Sequence, residues 1–450
     1  MKIALVRPNY KTHLVTPPLG LGYLSSYLQS KGWKTKIIDG LNFNLNNDQI
    51  VEQCQECGVV GITCLTDFYL EVIDLSRKLK KNNKIVVLGN VHPSVLPKET
   101  LQESGADYVI VGEGEITFNE LLESLSQNRS PEGINGLFFV GQQQFQRRES
   151  LQNLDSLPFP DWKQMDPRDY QKAPHGALIK NFPVAPVITT RGCPYACKFC
   201  ASPAFWGQRL RLRSPENVIA EIEYLIDNFG VKEIHFEDDN LTLYREHIVK
   251  ICNLILEKKL KISWATPNGI RADRVDEELL KLMKKSGCYY VVFGIESGNQ
   301  EILNNINKRE TLSDIETAVN LAHKLGIMTQ GFFILGLPGE TKQTIQNSIS
   351  FAKKIPLDRA QFLLLDLLPG SALWQEHKNE YTTDYSKDSY HEPTWVPETI
   401  SSTVLKQWQP KAFQSFFFRP RPLFSLIKFF RFSQLKFVFK RLRDFRIVGD

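Results

Sequence analysis

The stretch RGCPYACKFC, residues 191–200, places three cysteines within eight positions, at Cys193, Cys197 and Cys200. It follows a short β-branched run, PVITT, so we predict a loop at the end of a strand and before a helix. Three thiolates on one loop can wrap a compact metal centre. Such a centre has four ligand positions, so one of them would stay open.

Two kinds of metal centre compete for this loop. A structural zinc site takes four ligands, usually in two separated pairs, but no second CxxC follows and Cys252 and Cys288 stand alone. An iron–sulfur cube can leave one iron for a group other than protein. We favour the cluster. A non-catalytic iron–sulfur or zinc-binding scaffold stays open as a function of another class.

The composition is that of a soluble globular protein. With 450 residues, 42% hydrophobic and 23% charged, the chain has the length of two or three domains and no apolar run of about 18 residues. The N-terminus, MKIALVRPNYK, has five apolar residues before Arg7, too few for a signal-peptide core. We therefore expect a cytoplasmic protein.

The net charge of +5 is concentrated at the C-terminus. Residues 401–450 contain eleven Lys or Arg and two Asp, which leaves a net charge of −4 for the other 400 residues. The same window holds eleven of the 28 Phe. We expect a helix that packs its aromatic face on the protein. Peripheral membrane contact is the alternative, and nucleic acid binding is disfavoured because the Phe spacing suits burial better than base stacking.

Short apolar runs alternate with helix-like segments over the first 140 residues. The runs are β-branched and bounded by turn residues, and they are KIALVRP, TKIIDG, GVVGITCL, KIVVLGN, ADYVIVG and INGLFFV. The alternation predicts a parallel, doubly wound (Rossmann-like) α/β domain over residues 1–140. In such a sheet the ligand crevice lies beyond the carboxyl ends of the strands.

The remaining chain divides into three segments. Residues 141–186 are polar and proline-bearing, and we predict a linker that packs on the surface. The alternation resumes over residues 187–375 with six βα units, fewer than the eight of a full barrel, so we expect a partial (β/α)6 barrel. Residues 376–450 form a C-terminal region that contains the basic aromatic helix.

The spacing CxxxCxxC, with an aromatic residue at Phe199, resembles the signature of the radical S-adenosylmethionine (SAM) superfamily. The resemblance implies that Cys193, Cys197 and Cys200 hold a [4Fe-4S] cluster whose free iron chelates the amino and carboxylate groups of SAM. An electron from the cluster then cleaves SAM and yields a deoxyadenosyl radical. The same resemblance implies an electron donor such as flavodoxin or ferredoxin.

Later strand ends match further positions of that family. Glu237, Asp238 and Asp239, in HFEDDN, stand where the family has an acidic motif, often GGE, that receives the SAM amino group. The same resemblance implies that Glu296 and Ser297 bind the ribose of SAM and that Leu335 and Gly336 contact its adenine. It also implies that Asn268 and Arg271 bind the carboxylate of SAM.

A doubly wound domain before a radical SAM barrel resembles the subfamily that binds cobalamin, as do the phrases PPLGLGYLSSYLQSKGW, GNVHPSVLP and ADYVIVGEGEITF. The DxHxxG sequence, whose histidine ligates cobalt in other cobalamin proteins, is absent after the first strand, so we assign no histidine ligand. Candidate contacts to cobalamin at the strand ends are Thr63, Thr66, Gly89, His92, Gly112, Glu113 and Gly114. We favour His92 as a loop residue beside the corrin over an axial ligand.

The resemblance implies a cobalamin-dependent radical SAM methyltransferase that moves a methyl group from methylcobalamin to an unactivated carbon. The alternative is a radical cyclase or another oxidative ring-forming enzyme in which cobalamin carries no methyl group. The substrate is expected to be a small molecule. A lipid, a tetrapyrrole and a natural-product intermediate all stay open, and no catalytic acid or base is assigned.

Overall fold

The short β-branched runs of the N-terminal region form one sheet in the computed structural model, which describes residues 1–172, 179–380, 384–386, 391–422 and 424. The strands are β1 (Lys2–Arg7), β2 (Lys34–Asp39), β3 (Val59–Thr63), β4 (Ile85–Gly89), β5 (Tyr108–Ile110) and β6 (Leu137–Phe138). Their order is β2-β1-β3-β4-β5-β6, and all pairs are parallel except β5 with β6. The order reverses between β1 and β3, where doubly wound sheets bind ligands.

Helices cover both faces of this sheet. They are α1 (Leu19–Ser30), α2 (Asn47–Gln53), α3 (Tyr69–Lys81), α4 (Val91–Val95), α5 (Pro97–Ser104) and α6 (Glu115–Ser126). Two separate apolar clusters result. One contains Val60 and Leu75 and the other Leu5 and Phe118, since alternate strand residues point to opposite faces. The doubly wound domain expected from the alternation is confirmed.

A second sheet of six parallel strands follows, in the order β14-β13-β12-β11-β10-β7. The strands of this half are β7 (Val184–Val187), β8 (Thr190–Arg191), β9 (Arg211–Leu212), β10 (Glu233–Phe236), β11 (Ser263–Ile270), β12 (Cys288–Glu296), β13 (Met328–Leu335) and β14 (Arg359–Leu364). Strands β8 and β9 form a separate antiparallel pair that brackets the cysteine loop. Because β7 and β14 are its two edges, the large sheet is the expected partial barrel, open on one side.

Amphipathic helices pack on the outside of the barrel sheet, except the short α7 (Ser202–Trp206), which has no buried residue and contacts α4 of the first domain. The others are α8 (Pro215–Phe229), α9 (Arg245–Glu257), α10 (Glu277–Lys285), α11 (Gln300–Asn305), α12 (Leu312–Lys324), α13 (Lys342–Lys354), α14 (Ala372–His377) and α15 (Ser402–Phe417). Side-chain caps begin several of them, including the capping box at Thr311 that starts α12. Outward strand residues such as Phe333 and Phe362 are fully buried beneath these helices.

The segment between the two sheets is more buried than the sequence predicted. Trp162 and Met165 are each 1% exposed, and Trp162 donates to the Glu221 carboxylate of α8 at 3.0 Å. Tyr170 donates to the Asp39 carboxylate at the end of β2 at 2.8 Å. A few large side chains of the linker are therefore buried between α1 and the barrel, which its lack of periodicity did not indicate.

Helix α15 packs against β14, the last strand of the barrel. Phe413 and Phe416 make edge contacts with Phe362, and Gln409 donates to the Phe362 carbonyl at 2.9 Å. Residues 402–417 therefore form a helix whose aromatic side chains pack on the protein, as the sequence predicted. Residue 423 and residues 425–450, which carry most of the basic tail, lie outside the described residues. No described helix is both long and apolar enough to span a membrane.

Candidate active site at the cysteine loop

The cysteine loop lies between β8 and α7, at the carboxyl end of the barrel strands. Gly192 has φ +96°, and a Cβ there would approach the Arg209 carbonyl oxygen to 2.4 Å. Only glycine fits this turn, since it needs both a left-handed backbone and close contact with the β9 side. The glycine thus sets the direction in which the three cysteines leave the strand.

Neighbouring segments hold the loop along its length. The Lys198 amide donates to the Ile306 carbonyl at 3.0 Å, and the Asn307 side chain donates to the Ala196 carbonyl at 2.9 Å. From the other side, the Leu373 amide donates to the Lys198 carbonyl at 2.9 Å. The turn after α11 and the start of α14 therefore fix the loop before any ligand binds.

All three thiols of the loop are free and partly exposed. Burial raises the pKa of Cys193 and Cys197, and it raises that of Cys200 to about 12. The Ser202 amide donates to the Cys200 sulfur at 3.4 Å, a contact of the kind that tunes iron–sulfur clusters. Among the described residues no three His, Cys, Asp or Glu side chains converge on a single-ion site. Three thiols on one loop, each able to bind a separate iron, are the donor set of a [4Fe-4S] cluster with one open iron.

A buried lysine that the sequence reasoning missed lies beside the loop. The Lys308 ammonium is 3.0 Å from the Glu296 carboxylate and 3.4 Å from that of Glu310. Burial opposes its charge, but the two carboxylates raise its pKa, and the Cys197 thiol adds to this effect. A fixed positive charge therefore lies next to the expected cluster. The sequence signal for this lysine was the segment INKRE, which ends in three successive charged residues.

Arg271 holds this turn, and so it does not match its predicted role. Its guanidinium makes four hydrogen bonds, to the Lys308 and Arg309 carbonyls and twice to Asp273. It also stacks on Tyr195 of the cysteine loop, 3.8 Å from the ring centroid. Since a guanidinium has five N–H groups, little is left for the SAM carboxylate. Asn268, the other candidate, is exposed and donates to the Glu237 carbonyl at 2.8 Å.

The three acidic residues after β10 have different environments. Asp238 is 2% exposed, and its Oδ1 accepts from the Thr189 amide and from the Thr189 and Thr190 hydroxyls. Burial raises the pKa of Asp238 to about 6. Oδ1 of Asp238 therefore braces the end of β7, whereas its Oδ2 is buried with no hydrogen-bond partner among the described residues. Glu237 is half-buried, and Asp239 accepts from Ser202 of the cysteine loop at 2.5 Å, so these two face the site.

The predicted ribose residues are also part of the scaffold. Glu296 has φ +65° and binds Lys308, and Ser297 is fully buried against the Ser348 hydroxyl at 3.2 Å. Left-handed backbone at a non-glycine residue is costly and concentrates at functional sites. Glu296 therefore remains a candidate site residue, whereas Ser297 packs in the protein interior.

The predicted adenine residues lie at the end of β13. Leu335 is fully buried, and the Gly336 amide donates to the Glu340 carboxylate. A Cβ on Gly336, which has φ +93°, would meet Leu405 of α15 at 3.0 Å. The close approach that requires glycine is therefore to the C-terminal helix.

The carboxyl edge of the N-terminal sheet offers open space to a ligand. A Cβ added at Gly89 or Gly112 would meet nothing within 4 Å, so both glycines border a free crevice. Thr63 accepts from the Asn90 side chain at 2.8 Å, and the Gly112 amide donates to Ser94 at 2.9 Å. Strand ends with hydroxyls and bare backbone along the carboxyl edge of a doubly wound sheet fit the nucleotide tail of cobalamin. Gly114 caps α6, where Leu24 is 3.3 Å from the Cβ position.

His92 is buried and stacks on Tyr69, with ring centroids 4.0 Å apart. Its Nδ1 lies 3.1 Å from the Thr66 hydroxyl, and burial lowers the pKa of His92 to about 4. Its Nε2 has no hydrogen-bond partner among the described residues. His92 is therefore part of the domain interior, and Thr66 is half-buried beside it.

Glu113 ties the two sheets together, a role that differs from the predicted cofactor contact. Its carboxylate lies 2.5 Å from Arg191 and 2.6 Å from Arg211, and Arg191 also reaches Glu115 at 2.8 Å. Burial opposes ionisation of Glu113, but the two guanidinium groups lower its pKa. Arg191 precedes the cysteine loop by two residues. The end of β5 is thus joined directly to the loop.

A small pocket lies between the two sheets beside β10. Thr16 and Pro17, from the loop after β1, line it together with His235 and Glu237. The loop at the ligand edge of the first sheet therefore meets the inside of the barrel at the acidic strand end.

Known families match both halves of the chain. Residues 187–352 match the radical SAM superfamily, and residues 10–122 match the B12 binding domain. The chain is 35% identical to an uncharacterised methyltransferase of Pyrococcus horikoshii, over 98% of this chain and 97% of the relative. It is 32% identical to cytidylyl-2-hydroxyethylphosphonate methyltransferase of Streptomyces wedmorensis, over 80% and 78% of the two chains.

More distant relatives include anaerobic magnesium-protoporphyrin IX monomethyl ester cyclase of Rubrivivax gelatinosus, 26% identical over 93% of this chain and 77% of the cyclase. The fold resembles that of the radical SAM methyltransferase TsrM from Kitasatospora setae, solved with tryptophan and a SAM analogue. The TM-score is 0.72 at 19% identity, over 96% of this chain and 89% of TsrM.

The chain belongs to the cobalamin-dependent radical SAM methyltransferase family. Its cofactors are a [4Fe-4S] cluster and SAM in the radical SAM domain, and cobalamin in the B12-binding domain. The cofactor predictions and the family resemblance are thereby confirmed.

Proposed function

We propose that this protein transfers a methyl group to an unactivated carbon of a small molecule bound inside the barrel mouth. The observation that carries the proposal is the contact between the two ligand edges. The first sheet meets the cysteine loop through Glu113 and Arg191, and Thr16 from the loop after β1 lines the same pocket as Glu237 at the acidic strand end. A methyl donor and a radical source must both reach one carbon atom, and these contacts bring their two sites together.

The bound cofactors supply a methyl-transfer centre at the first sheet and a hydrogen-abstracting radical at the cysteine loop. The residues of the protein position these cofactors. Cys193, Cys197 and Cys200 would hold the cluster on a loop whose backbone is already fixed by Gly192. Since catalysis by positioning depends on preset geometry, a rigid loop avoids the cost of ordering it during the reaction.

For SAM itself we propose a revised set of contacts. Glu237 and Asp239 are the carboxylates that face the site and would receive the ammonium group. Asn268 is exposed at the same edge. Lys308 supplies a cation beside the cluster and Glu296, so it replaces Arg271 as the candidate for the carboxylate group. The proposal also includes a one-electron donor such as flavodoxin or ferredoxin, because each SAM cleavage by this chemistry consumes one electron.

The test is anaerobic turnover of the reconstituted protein with reductant, SAM and hydroxocobalamin. We expect both S-adenosylhomocysteine and deoxyadenosine, the first from methyl donation and the second from radical formation. The Cys197→Ala variant should lose deoxyadenosine and thereby separate the two activities. Absence of S-adenosylhomocysteine from the wild-type reaction would contradict methyl transfer.

Radical ring formation is the second candidate. The relationship to the anaerobic cyclase, 26% identical over 93% of this chain, favours it as the alternative. In that case the reaction above would give deoxyadenosine with no S-adenosylhomocysteine. The same two products therefore separate the candidates.

A further inference from the structure

The last two strands of the barrel carry half-buried side chains on their inner face. On β13, Gln330 and Phe332 are half-buried, and on β14 so are Gln361 and Leu363, whereas the residues between them are mostly buried beneath the outer helices. Because alternate strand residues face opposite sides, the half-buried set lines the lumen. These side chains therefore mark the inner face of the barrel, between the cysteine loop and the start of the two strands.

Arg359, Tyr290 and Met328 lie on the same inner face at the start of these strands, which we call the floor of the lumen, and each is 5–6% exposed. Arg359 is the first residue of β14 and pairs in register with Gln330. Its guanidinium carbon lies 5.7 Å from the centroid of the Tyr290 ring, and the Tyr290 hydroxyl donates to Gln330 at 2.7 Å. A cation thus lies at the closed end of an otherwise aromatic and amide-lined space.

The Arg359 guanidinium has unused donors. Its Nε and Nη2 atoms are buried and have no hydrogen-bond partner in the described part of the chain. The carboxylate of Glu233, on β10, is already occupied, since it accepts from Tyr289 at 2.6 Å and from Ser263 at 2.9 Å. It also accepts from two backbone amides of the linker. Glu233 is therefore committed to its own network on the other side of the lumen.

A buried charged donor without a partner is expensive, because desolvation is not repaid by a hydrogen bond. The guanidinium presents its donors in a planar fork that matches carboxylate and phosphate oxygens. We propose that Arg359 binds an oxyanion of the substrate, a carboxylate or a phosphoryl group, at the floor of the barrel lumen. The assignment rests on the proposed function, and it adds the chemical class of the substrate.

The position of Arg359 also constrains the shape of that substrate. At a rise of about 3.3 Å per residue, the six residues of β14 place the floor roughly 16 Å below the carboxyl end of the strand. A substrate anchored on Arg359 would extend past Phe332 and Gln361 toward the cysteine loop. The structure thus favours an elongated molecule with its anionic end at the floor and its reacting carbon near the mouth.

Binding of small probes tests this without knowledge of the substrate. Ethylphosphonate is followed by phosphorus NMR line broadening, and propionate and neutral 1-propanol by saturation-transfer NMR, on the anaerobic holoprotein. We expect saturable binding of at least one anion and none of 1-propanol. Arg359→Gln should weaken anion binding at least tenfold, and Arg359→Lys should weaken it less because the charge remains.

Arg245→Gln is the matched control, since it removes an arginine from the outside of the same barrel, where it pairs with Asp276. It should bind the anions as the wild type does. Equal anion binding by wild type and Arg359→Gln, or no saturable binding by the wild type, would overturn the assignment. The change in the cluster EPR signal on adding SAM is measured in each variant. If that change persists while anion binding is absent, the lumen assignment fails and the proposed function stands.

Discussion

The Arg191 guanidinium and the Glu113 carboxylate form a buried ion pair across the boundary between the two sheets, with Nη1 2.5 Å from Oε1. The pair connects the end of β5, on the cobalamin side, to the residue two positions before Cys193. Arg211 shares the same carboxylate at 2.6 Å. These ion pairs therefore link the first domain directly to the strand that leads into the cluster loop.

Glu113→Ala would leave two buried guanidinium groups without this partner. Removal of one member of a buried pair typically costs about 3–5 kcal/mol, so we expect a large fall in the free energy of unfolding. Urea denaturation followed by fluorescence and by cobalamin absorbance measures it. Glu56→Ala, which removes the exposed partner of Lys2, should have little effect. Similar effects of the two substitutions would show that Glu113 does not couple the domains.

Gly192→Ala should disrupt the cluster loop. The new Cβ would lie 2.4 Å from the Arg209 carbonyl oxygen, in addition to the strain of a left-handed backbone. We expect iron content after reconstitution to fall to less than half of the wild-type value. Gly207→Ala is the matched control, because it has φ +79° and open space around its Cβ position. Equal iron retention by the two variants would refute the steric account.

Lys308→Met should make the reduction potential of the cluster more negative, because it removes a buried positive charge beside Cys197. Redox titration followed by EPR measures the midpoint. Lys198→Met removes an exposed lysine from the cysteine loop itself, where it pairs with Glu376, and should shift the midpoint less because solvent screens it. A shift for Lys198→Met as large as that for Lys308→Met would contradict the role given to Lys308.

We predict that the thermal stability of the protein depends on pH through the buried Glu340 carboxyl group. Burial raises the pKa of Glu340 to about 8, although the Gly336 and Leu337 amides oppose this by donating to its carboxylate. A raised pKa in the folded state stabilises the fold at low pH, and the contribution is lost as pH rises through about 8. Raising the pH from 6 to 9 should therefore lower the Tm of the wild type more than that of Glu340→Gln. Parallel Tm curves would show that Glu340 does not titrate in this range.

Local patterns were sufficient to predict the elements that carry the site. The spacing of Cys193, Cys197 and Cys200 and the run of strands around them depend on neighbouring residues, so the partial barrel and the cluster loop could be read from sequence. The acidic run after β10 was placed correctly at a strand end. Which of its members faces the site depends on the direction of each side chain.

The remaining assignments depended on contacts between distant residues. Glu113 is 78 positions from Arg191, and no periodicity indicates that these two residues meet. Arg271 was predicted from its place at a strand end, but the turn at Lys308 takes up its hydrogen bonds. Trp162 looked like a surface residue because its segment lacks periodicity, although it fills the space between domains. Each difference arises where tertiary packing overrides a local signal.

The most direct test of methyl transfer follows an isotopic label. Wild-type protein is incubated anaerobically with hydroxocobalamin, reductant and SAM that carries a trideuterated methyl group, and the cobalamin is extracted in dim light for mass spectrometry. The account predicts cobalamin that bears the labelled methyl group, together with an equal amount of S-adenosylhomocysteine. Unlabelled cobalamin in a reaction that still produces deoxyadenosine would contradict it.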